Sequence, residues 1–591
     1  MRAPRSVMRG PQFAGWTPAI APVRQFNVRT VPNISIPLQD GTMLAADLYL
    51  PVTDERLPAL LGWSPYNKDL FPTGAPAPFN EPGNVTFLAS CGYPVIIANT
   101  RGTGRSTGDL PVAMFEKSEV DDMREVFAWI ARQPWSDGRV AMTGMSYFGI
   151  SQLFAAGHRM PGLAAVAPFG SATDIYRMVA YQNGTLHSGF LTPYVAVNGS
   201  VQHIRMPTAL RHALGYVVGT APVQAVARKA LWSNLHRLVR RLSPPEPWLR
   251  RWAAYCLEHP LDGPFYREAS TWPKLPDIEV PVLLGAEWSM VGLHLSGTFE
   301  AWHRIKAPKK MFIGPRWDQW PFLRYQKEIV SYYNHVIKGV ENGYDRLPAV
   351  RYWLHGAERW ESAQDWPPPD ATKWSLFLTS DHAGKGRLSE KASTDGKSLS
   401  WASLPAGLSY PGAFDRSAPY PQVLRYASDP ASDDVHIAGP ADITLQLSCT
   451  AMDTHVQVRL SDLAPDGTVS TVSVGWLLAS HRSIDAARST PTEIVHDHAH
   501  PLPVTPGAPH SLRFSLFPFA QLLRKGHRLI LEIGSDPKRL APGTKDKFVY
   551  FGNAGTPYSA LNTVHHSASG QSVLRLTVRP RTADELTGGL Q

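Results

Sequence analysis

Residues 139–152 read RVAMTGMSYFGISQ. Arg139 to Thr143 has the pattern of a short strand, Ile150 to Ala156 that of a helix, and Ser146 sits between Gly144 and Gly149. A strand that turns sharply into a helix lifts the turn residue out of the sheet. A serine held there can act as a nucleophile if a neighbouring base takes its proton. The glycines permit the turn and let the helix pack close behind it, and the backbone N–H of Tyr147 is placed to meet a developing oxyanion. The spacing, G-x-S-x-x-G, is one residue longer than the common G-x-S-x-G. The motif alone therefore leaves a second reading open, in which Ser146 only caps the helix.

Outward from this turn, the pattern is of strands and helices in alternation. Upstream, residues 33–51 form two alternating runs joined by Asp40-Gly41, a hairpin signal. Buried-strand runs follow at Ala59 to Trp63 and Pro94 to Asn99. A helix is predicted from Glu119 to Arg132, with Val120, Met123, Phe127 and Ile130 on one face. Downstream come strands at Ala164 to Ala167, Val280 to Gly285 and Lys310 to Gly314, and helices at Leu295 to Ile305 and Tyr325 to Ile337. Such alternation predicts a mostly parallel α/β sheet. Strand signals fade between Ser171 and Pro276, where Val223 to Arg241 and Trp248 to Leu257 read as helices of an inserted cap. After Trp366-Pro367-Pro368-Pro369, read as a rigid linker, short alternating runs predict a β-sandwich or jelly roll.

The expected organisation is an N-terminal extension (1–30), an α/β domain (31–170 and 277–365), a helical cap (171–276) and a C-terminal jelly roll (370–580). A chain of 591 residues is long enough for about three folding units. Its 53 prolines argue against a helical bundle.

The net charge of +9 is scattered, apart from a local cluster at Arg237, Arg240, Arg241, Arg250 and Arg251. No basic stripe is interleaved with stacking aromatics, so no nucleic-acid partner is expected. Cys91, Cys256 and Cys449 are odd in number and far apart, which offers neither a disulfide framework nor metal-knuckle spacing. The segment Gly102 to Gly108 does not spell a dinucleotide loop. No cofactor or metal is expected. With no signal-peptide core in the first twenty residues and no bilayer-length apolar run, the expectation is a cytoplasmic protein without a membrane partner.

A wider set of segments points to a family. DGTMLAADLYLP (40–51), PYNKD (65–69), GYPVIIANTRGTGRSTG (92–108), EVDDMREVFAWIARQPWSDGRVAMTGMSYFGISQ (119–152), DGPFYREAS (262–270), GLHLSGTFEAW (292–302), GPADITLQLS (439–448), DLAPDGT (462–468) and KGHRLILEI (525–533) occur in order. Together they resemble the cocaine esterase/NonD hydrolases, relatives of the Xaa-Pro dipeptidyl-peptidases and α-amino-acid ester hydrolases. The resemblance implies an α/β-hydrolase domain, an inserted helical cap and a C-terminal jelly roll of galactose-binding type. It also implies cleavage of a small ester, amide or short peptide through an acyl-serine. Tyr66, within Ser64-Pro65-Tyr66-Asn67-Lys68, matches the family tyrosine whose hydroxyl is one oxyanion donor, beside the Tyr147 N–H.

The family's acid follows a tryptophan as W-x-D, whereas this chain has Gly285-Ala286-Glu287-Trp288-Ser289-Met290, with Met290 in the aspartate's place. Glu287 is a candidate substitute acid, set against the reading that it is an ordinary salt-bridged glutamate. The family's histidine falls in the next strand-end loop, here Phe312-Ile313-Gly314-Pro315-Arg316-Trp317-Asp318-Gln319-Trp320, which holds none. His294 and His303 lie nearby in sequence and read as structural. Two functions follow: a serine hydrolase with a relocated triad, drawing on Glu287 or Asp318 and a histidine from elsewhere, or a catalytically impaired relative that keeps the fold to bind a ligand. A carbohydrate-binding β-sandwich protein would leave the Ser146 turn unexplained.

Overall fold

The computed structural model describes residues 25–69, 81–109, 115–191, 194, 207, 247–316, 321–381, 383–393, 396–404, 420–535, 558–566 and 570–580. The predicted helix Val223 to Arg241, most of the basic cluster and Asp318 lie outside these residues.

The N-terminal half is built on β1 (Val28–Pro37), β2 (Met43–Pro51), β3 (Leu57–Ser64), β4 (Val95–Asn99), β5 (Ser136–Met142) and β6 (Leu163–Ala165), hydrogen-bonded in the order β1-β2-β4-β3-β5-β6. A two-residue hairpin, β7 (Tyr181–Gln182) and β8 (Thr185–Leu186), stands apart. A second run joins β9 (Val282–Glu287), β10 (Lys309–Gly314), β11 (Val350–Leu354) and β12 (Arg359–Ala363) in the order β12-β11-β10-β9. Parallel bridges Val166↔Val282 and Phe169↔Gly285 stitch the two runs into one sheet. β3, β4, β5 and β6 pair in parallel, as do β9, β10 and β11; the hairpin β1–β2 and strand β12 are antiparallel edges.

The apolar runs explain this sheet. Along β3 and β4, Leu60, Val95 and Ile97 enter one core, while Leu61, Ile96 and Ala98 enter the other. Both faces are therefore covered, as a parallel sheet requires. Helix α1 (Val85–Ser90) packs Phe87 and Leu88 into the first core. Helices α2 (Lys117–Ala131) and α3 (Tyr147–Gly157) serve the second. The α2 face is the one predicted: Val120, Met123, Phe127 and Ile130 are all buried. Beyond β8 come α4 (Pro247–Glu258), α5 (Pro264–Glu268), α6 (Leu295–Arg304) and α7 (Pro321–Val336).

Among the described residues, those from Thr372 onward form an eleven-stranded β-sandwich with its own core, including Trp401, Ile443, Phe514 and Leu531. The Trp366 stretch is not a spacer. Trp366 is buried and its ring packs on Trp288, Phe299 and Tyr352, so the segment belongs to the α/β core. No described helix is long and apolar enough to cross a membrane, and the three cysteines are free and buried.

Candidate active site

Ser146 stands where β5 ends and α3 begins, with φ 59° and ψ −121°. For a residue with a side chain this conformation costs on the order of 1–3 kcal/mol, so neighbours must hold it. They do so with backbone hydrogen bonds: Ser146 N–H donates to Phe169 O at 3.0 Å and Met145 N–H to Glu81 O at 3.0 Å. The Gln152 amide braces the turn from behind, donating to Gly144 O at 3.1 Å and accepting from Ala167 N at 2.9 Å.

Both motif glycines are required by space. A Cβ on Gly144, whose φ is +122°, would lie 2.4 Å from Phe148 Cβ. One on Gly149 would lie 2.7 Å from Phe169 O, in the strand segment that also receives the Ser146 N–H. The longer spacing of the motif thus places its second glycine where α3 crosses that segment.

As the first residue of α3, Tyr147 has no intrahelical acceptor for its N–H. Its hydroxyl turns inward to Glu119, 3.2 Å from each carboxyl oxygen. Glu119 also accepts from Trp63 Nε1 and Phe115 N, both at 2.9 Å. Burial outweighs these donors and pushes its carboxyl up to about 7.

Tyr66 reaches the turn from the loop after β3. Its ring lies 5.7 Å from that of Tyr147 and 6.3 Å from Phe148, and it is buried. The loop is pinned by Asn99 Nδ2 donating to Tyr66 O at 2.7 Å. It is held further by buried Lys68, which pairs with Asp47 at 2.9 Å and Asp69 at 3.0 Å. Burial raises the Tyr66 hydroxyl well above the ordinary tyrosine value, so it stays a donor. Tyr194 packs beside it, with ring centres 6.4 Å apart.

The fold brings Ser146, Tyr147 and Tyr66 together. It also brings in Glu81, which sequence reasoning missed. Glu81 is buried in the turn before α1, and its backbone carbonyl accepts the Met145 N–H of the nucleophile turn. Burial pushes the Glu81 carboxyl well above the usual carboxylate range, and the Ser146 hydroxyl partly opposes the rise. The segment Phe79-Asn80-Glu81-Pro82-Gly83 reads as a plain turn, with no spacing to Ser146 that a motif could express.

Glu287, the candidate acid, is fully buried as the last residue of β9. Phe169 bridges to both Met145 and Gly285, so one strand segment separates the Ser146 turn from β9. At about 4.8 Å per strand spacing, the two backbones are roughly 10 Å apart, the room an imidazole fills in a conventional triad. Among the described residues no imidazole hydrogen-bonds to Ser146. His294 is the residue just before α6 and is buried, with Met290 and its own Cβ packed on Gly170; burial alone lowers its imidazole to about 3. His303 faces Thr492 at 2.6 Å, away from the turn. After β10, Arg316 donates its N–H to His355 Nε2 at 3.3 Å and its guanidinium to Val472 O at 2.9 Å. The described residues contain no group of three or more His, Cys, Asp or Glu able to hold a metal ion.

Comparison with known proteins agrees with this architecture. Residues 40–318 match the sequence model of the X-Pro dipeptidyl-peptidase S15 family, and residues 342–575 match that of the X-Pro dipeptidyl-peptidase C-terminal non-catalytic domain. Among curated proteins, cocaine esterase of Rhodococcus sp. (strain MB1 Bresler) is 25% identical over 565 residues, covering 86% of this chain and 91% of that one. Among solved structures, a CocE/NonD family hydrolase from Staphylococcus aureus superposes with a TM-score of 0.74 at 20% identity, covering 93% of both chains. An α-amino acid ester hydrolase superposes with a TM-score of 0.70 at 17% identity, covering 96% of this chain and 99% of the other.

Proposed function

The chain belongs to the CocE/NonD hydrolases, with an S15-type α/β-hydrolase module and its C-terminal β-sandwich in series, and on that premise we propose that it cleaves a small ester, amide or short peptide through an acyl-Ser146 intermediate. The observation that carries this reading is the strained backbone of Ser146, at φ 59° and ψ −121°, locked at a strand-to-helix junction. Such a conformation persists only where surrounding contacts over-determine it, and it exposes the hydroxyl at the carboxyl end of the sheet.

In the proposed reaction Ser146 Oγ attacks the acyl carbon. The carbonyl electrons move onto oxygen, and that oxyanion is met by two donors, the Tyr147 N–H at the start of α3 and the Tyr66 hydroxyl. Because the Tyr66 hydroxyl is held far above its ordinary pKa, it donates without surrendering its proton at working pH. Collapse expels the alcohol or amine and leaves the acyl group on Ser146 for water to remove. The enclosing cluster of Tyr66, Tyr147, Tyr194 and Phe148 is apolar apart from its hydroxyls, which suits a neutral acyl group.

The competing reading is a ligand-binding relative with an impaired site. It draws on Met290 in the acid's place and the absence of a histidine between Phe312 and Trp320. A fluorophosphonate probe separates the two. Labelling of the folded wild type that disappears in Ser146→Ala is the result expected of the hydrolase; a folded wild type that takes no label overturns it.

A further inference from the structure

We propose that Glu81 is the general base of this site, taking the Ser146 proton in the role that an imidazole has in an ordinary triad. The inference rests on the acyl-Ser146 reading and supplies the group that reading lacks.

Position comes first. Glu81 is clamped to the nucleophile turn through its backbone, its carbonyl accepting the Met145 N–H at 3.0 Å. The approach is close enough that a Cβ on Gly144 would stand 3.2 Å from that same oxygen. The Ser146 hydroxyl acts on its carboxyl as a donor, opposing the rise that burial causes.

The second observation is what this carboxyl does without. Glu81 is 5% exposed, and its Oε2 has no hydrogen-bond partner among the described residues. Three other buried glutamates of the N-terminal half are matched by donors. Glu119 has Trp63, Phe115 and Tyr147; Glu300 has Thr173 at 2.6 Å, Arg304 at 3.0 Å and Arg488 at 3.4 Å; Glu328 has Arg351 and the Tyr344 hydroxyl. A buried oxygen left open costs stability, about 1–3 kcal/mol or more, and so calls for an explanation.

The chemistry balances. As Ser146 Oγ bonds to the acyl carbon, its proton passes to the Glu81 carboxylate and the carbonyl electrons become the oxyanion. One negative charge moves from Glu81 to a place where Tyr66 and Tyr147 receive it, and no second ion is created in a buried site. Protonated Glu81 then gives the proton to the departing alkoxide or amine as that bond breaks. Water deprotonated by Glu81 repeats the sequence to release the acid. Burial helps, because a carboxyl held well above its usual range is a stronger base than a free glutamate.

The test uses the full chain, p-nitrophenyl acetate turnover and fluorophosphonate labelling, in wild type, Ser146→Ala, Glu81→Gln, Glu119→Gln and His294→Ala. Expected are inert Ser146→Ala, a roughly 10³-fold fall in kcat with little change in KM for Glu81→Gln, and near-normal His294→Ala. Wild-type kcat/KM should rise with pH through a midpoint above the ordinary carboxylate range, a limb absent from the residual activity of Glu81→Gln. That midpoint should hold still on warming, as a carboxyl's does, and should persist in Glu119→Gln, which separates Glu81 from the other raised carboxyl beside Tyr147 even if Glu81→Gln fails to fold; a limb lost in Glu119→Gln overturns Glu81 as base. A folded Glu81→Gln that keeps its rate and its pH limb, or a limb that falls with temperature as an imidazole's does, overturns Glu81 as base while acyl-Ser146 stands. A wild type that neither labels nor turns over removes the acyl-serine reading itself, and the base with it.

Discussion

Glu119 shows how the site's polar residues act on stability. Its carboxyl accepts from Trp63, Phe115 and Tyr147, yet burial still raises it from 4.5 to about 7. A carboxyl with a raised folded pKa makes the folded state bind a proton that the unfolded chain has already released. The stabilisation is complete below about 4.5 and is lost as pH rises to about 7. A rise of this size corresponds to roughly 3 kcal/mol. The expected outcome, read by chemical denaturation, is that the stability of wild type relative to Glu119→Gln falls by about this amount between pH 4.5 and pH 7.5. A flat difference would show that Glu119 ionises normally. At this scale the sequence exposes only residues whose neighbours in the chain define their conformation. Ser146 and Tyr66 are such residues, one set in a glycine turn and the other in Ser64-Pro65-Tyr66-Asn67-Lys68. Glu81, Glu119 and Tyr194 gain their places from contacts that no local spacing encodes.

Elements are legible for the same reason and to the same extent. Strands β3 and β4 read correctly because their unbroken apolar runs feed two cores at once, and α2 because its buried face repeats at helical spacing. Trp366-Pro367-Pro368-Pro369 misleads because composition suggests a spacer, while the partners that bury Trp366 lie in β9, α6 and β11 or just beyond them. Also unreadable is the π-helical turn Ile175–Ala180, whose start is fixed by Asp174 accepting from Arg177 N. Asp174 is a hinge between elements. Burial would push its carboxyl up, but Arg177 and Arg488 beside it prevail and hold it at about 2. Arg488, from the loop between sandwich strands, reaches Asp174 at 2.8 Å and Glu300 at 3.4 Å, and its guanidinium lies 3.7 Å over the Trp272 ring. Removing one partner from such a buried network strands the others, at about 3–5 kcal/mol. Arg488→Met should lose stability on that scale in a denaturant titration; a loss below about 1 kcal/mol would mean that Asp174 and Glu300 are satisfied without it.

Over the whole molecule, this junction is one of several that tie the sandwich to the hydrolase sheet. Strand β11 continues into His355, which bridges to Gln521 in the sandwich: His355 N–H donates to Ala520 O at 3.3 Å, and Leu522 N–H to His355 O at 2.7 Å. Arg579, at the end of the last sandwich strand, binds Asp370 at 2.9 Å and the Tyr352 hydroxyl at 2.9 Å. Just after β10, in the segment that carries the histidine of a conventional triad, Arg316 binds across the junction to His355 and Val472. The hydrophobic core follows the same route, since Ala438, Val474, Trp476 and Ala520 of the sandwich join the cluster of Trp288, Trp353 and Trp366. Two units that share a core cannot lose their packing independently, because unfolding either exposes apolar surface of the other. The full chain should therefore melt in one calorimetric transition with matching calorimetric and van't Hoff enthalpies. Arg488→Met should move that transition down without dividing it. Two resolved transitions in the wild type, or a second peak released by Arg488→Met alone, would mean that the junction is held by its polar contacts and that the continuous core contributes little to coupling.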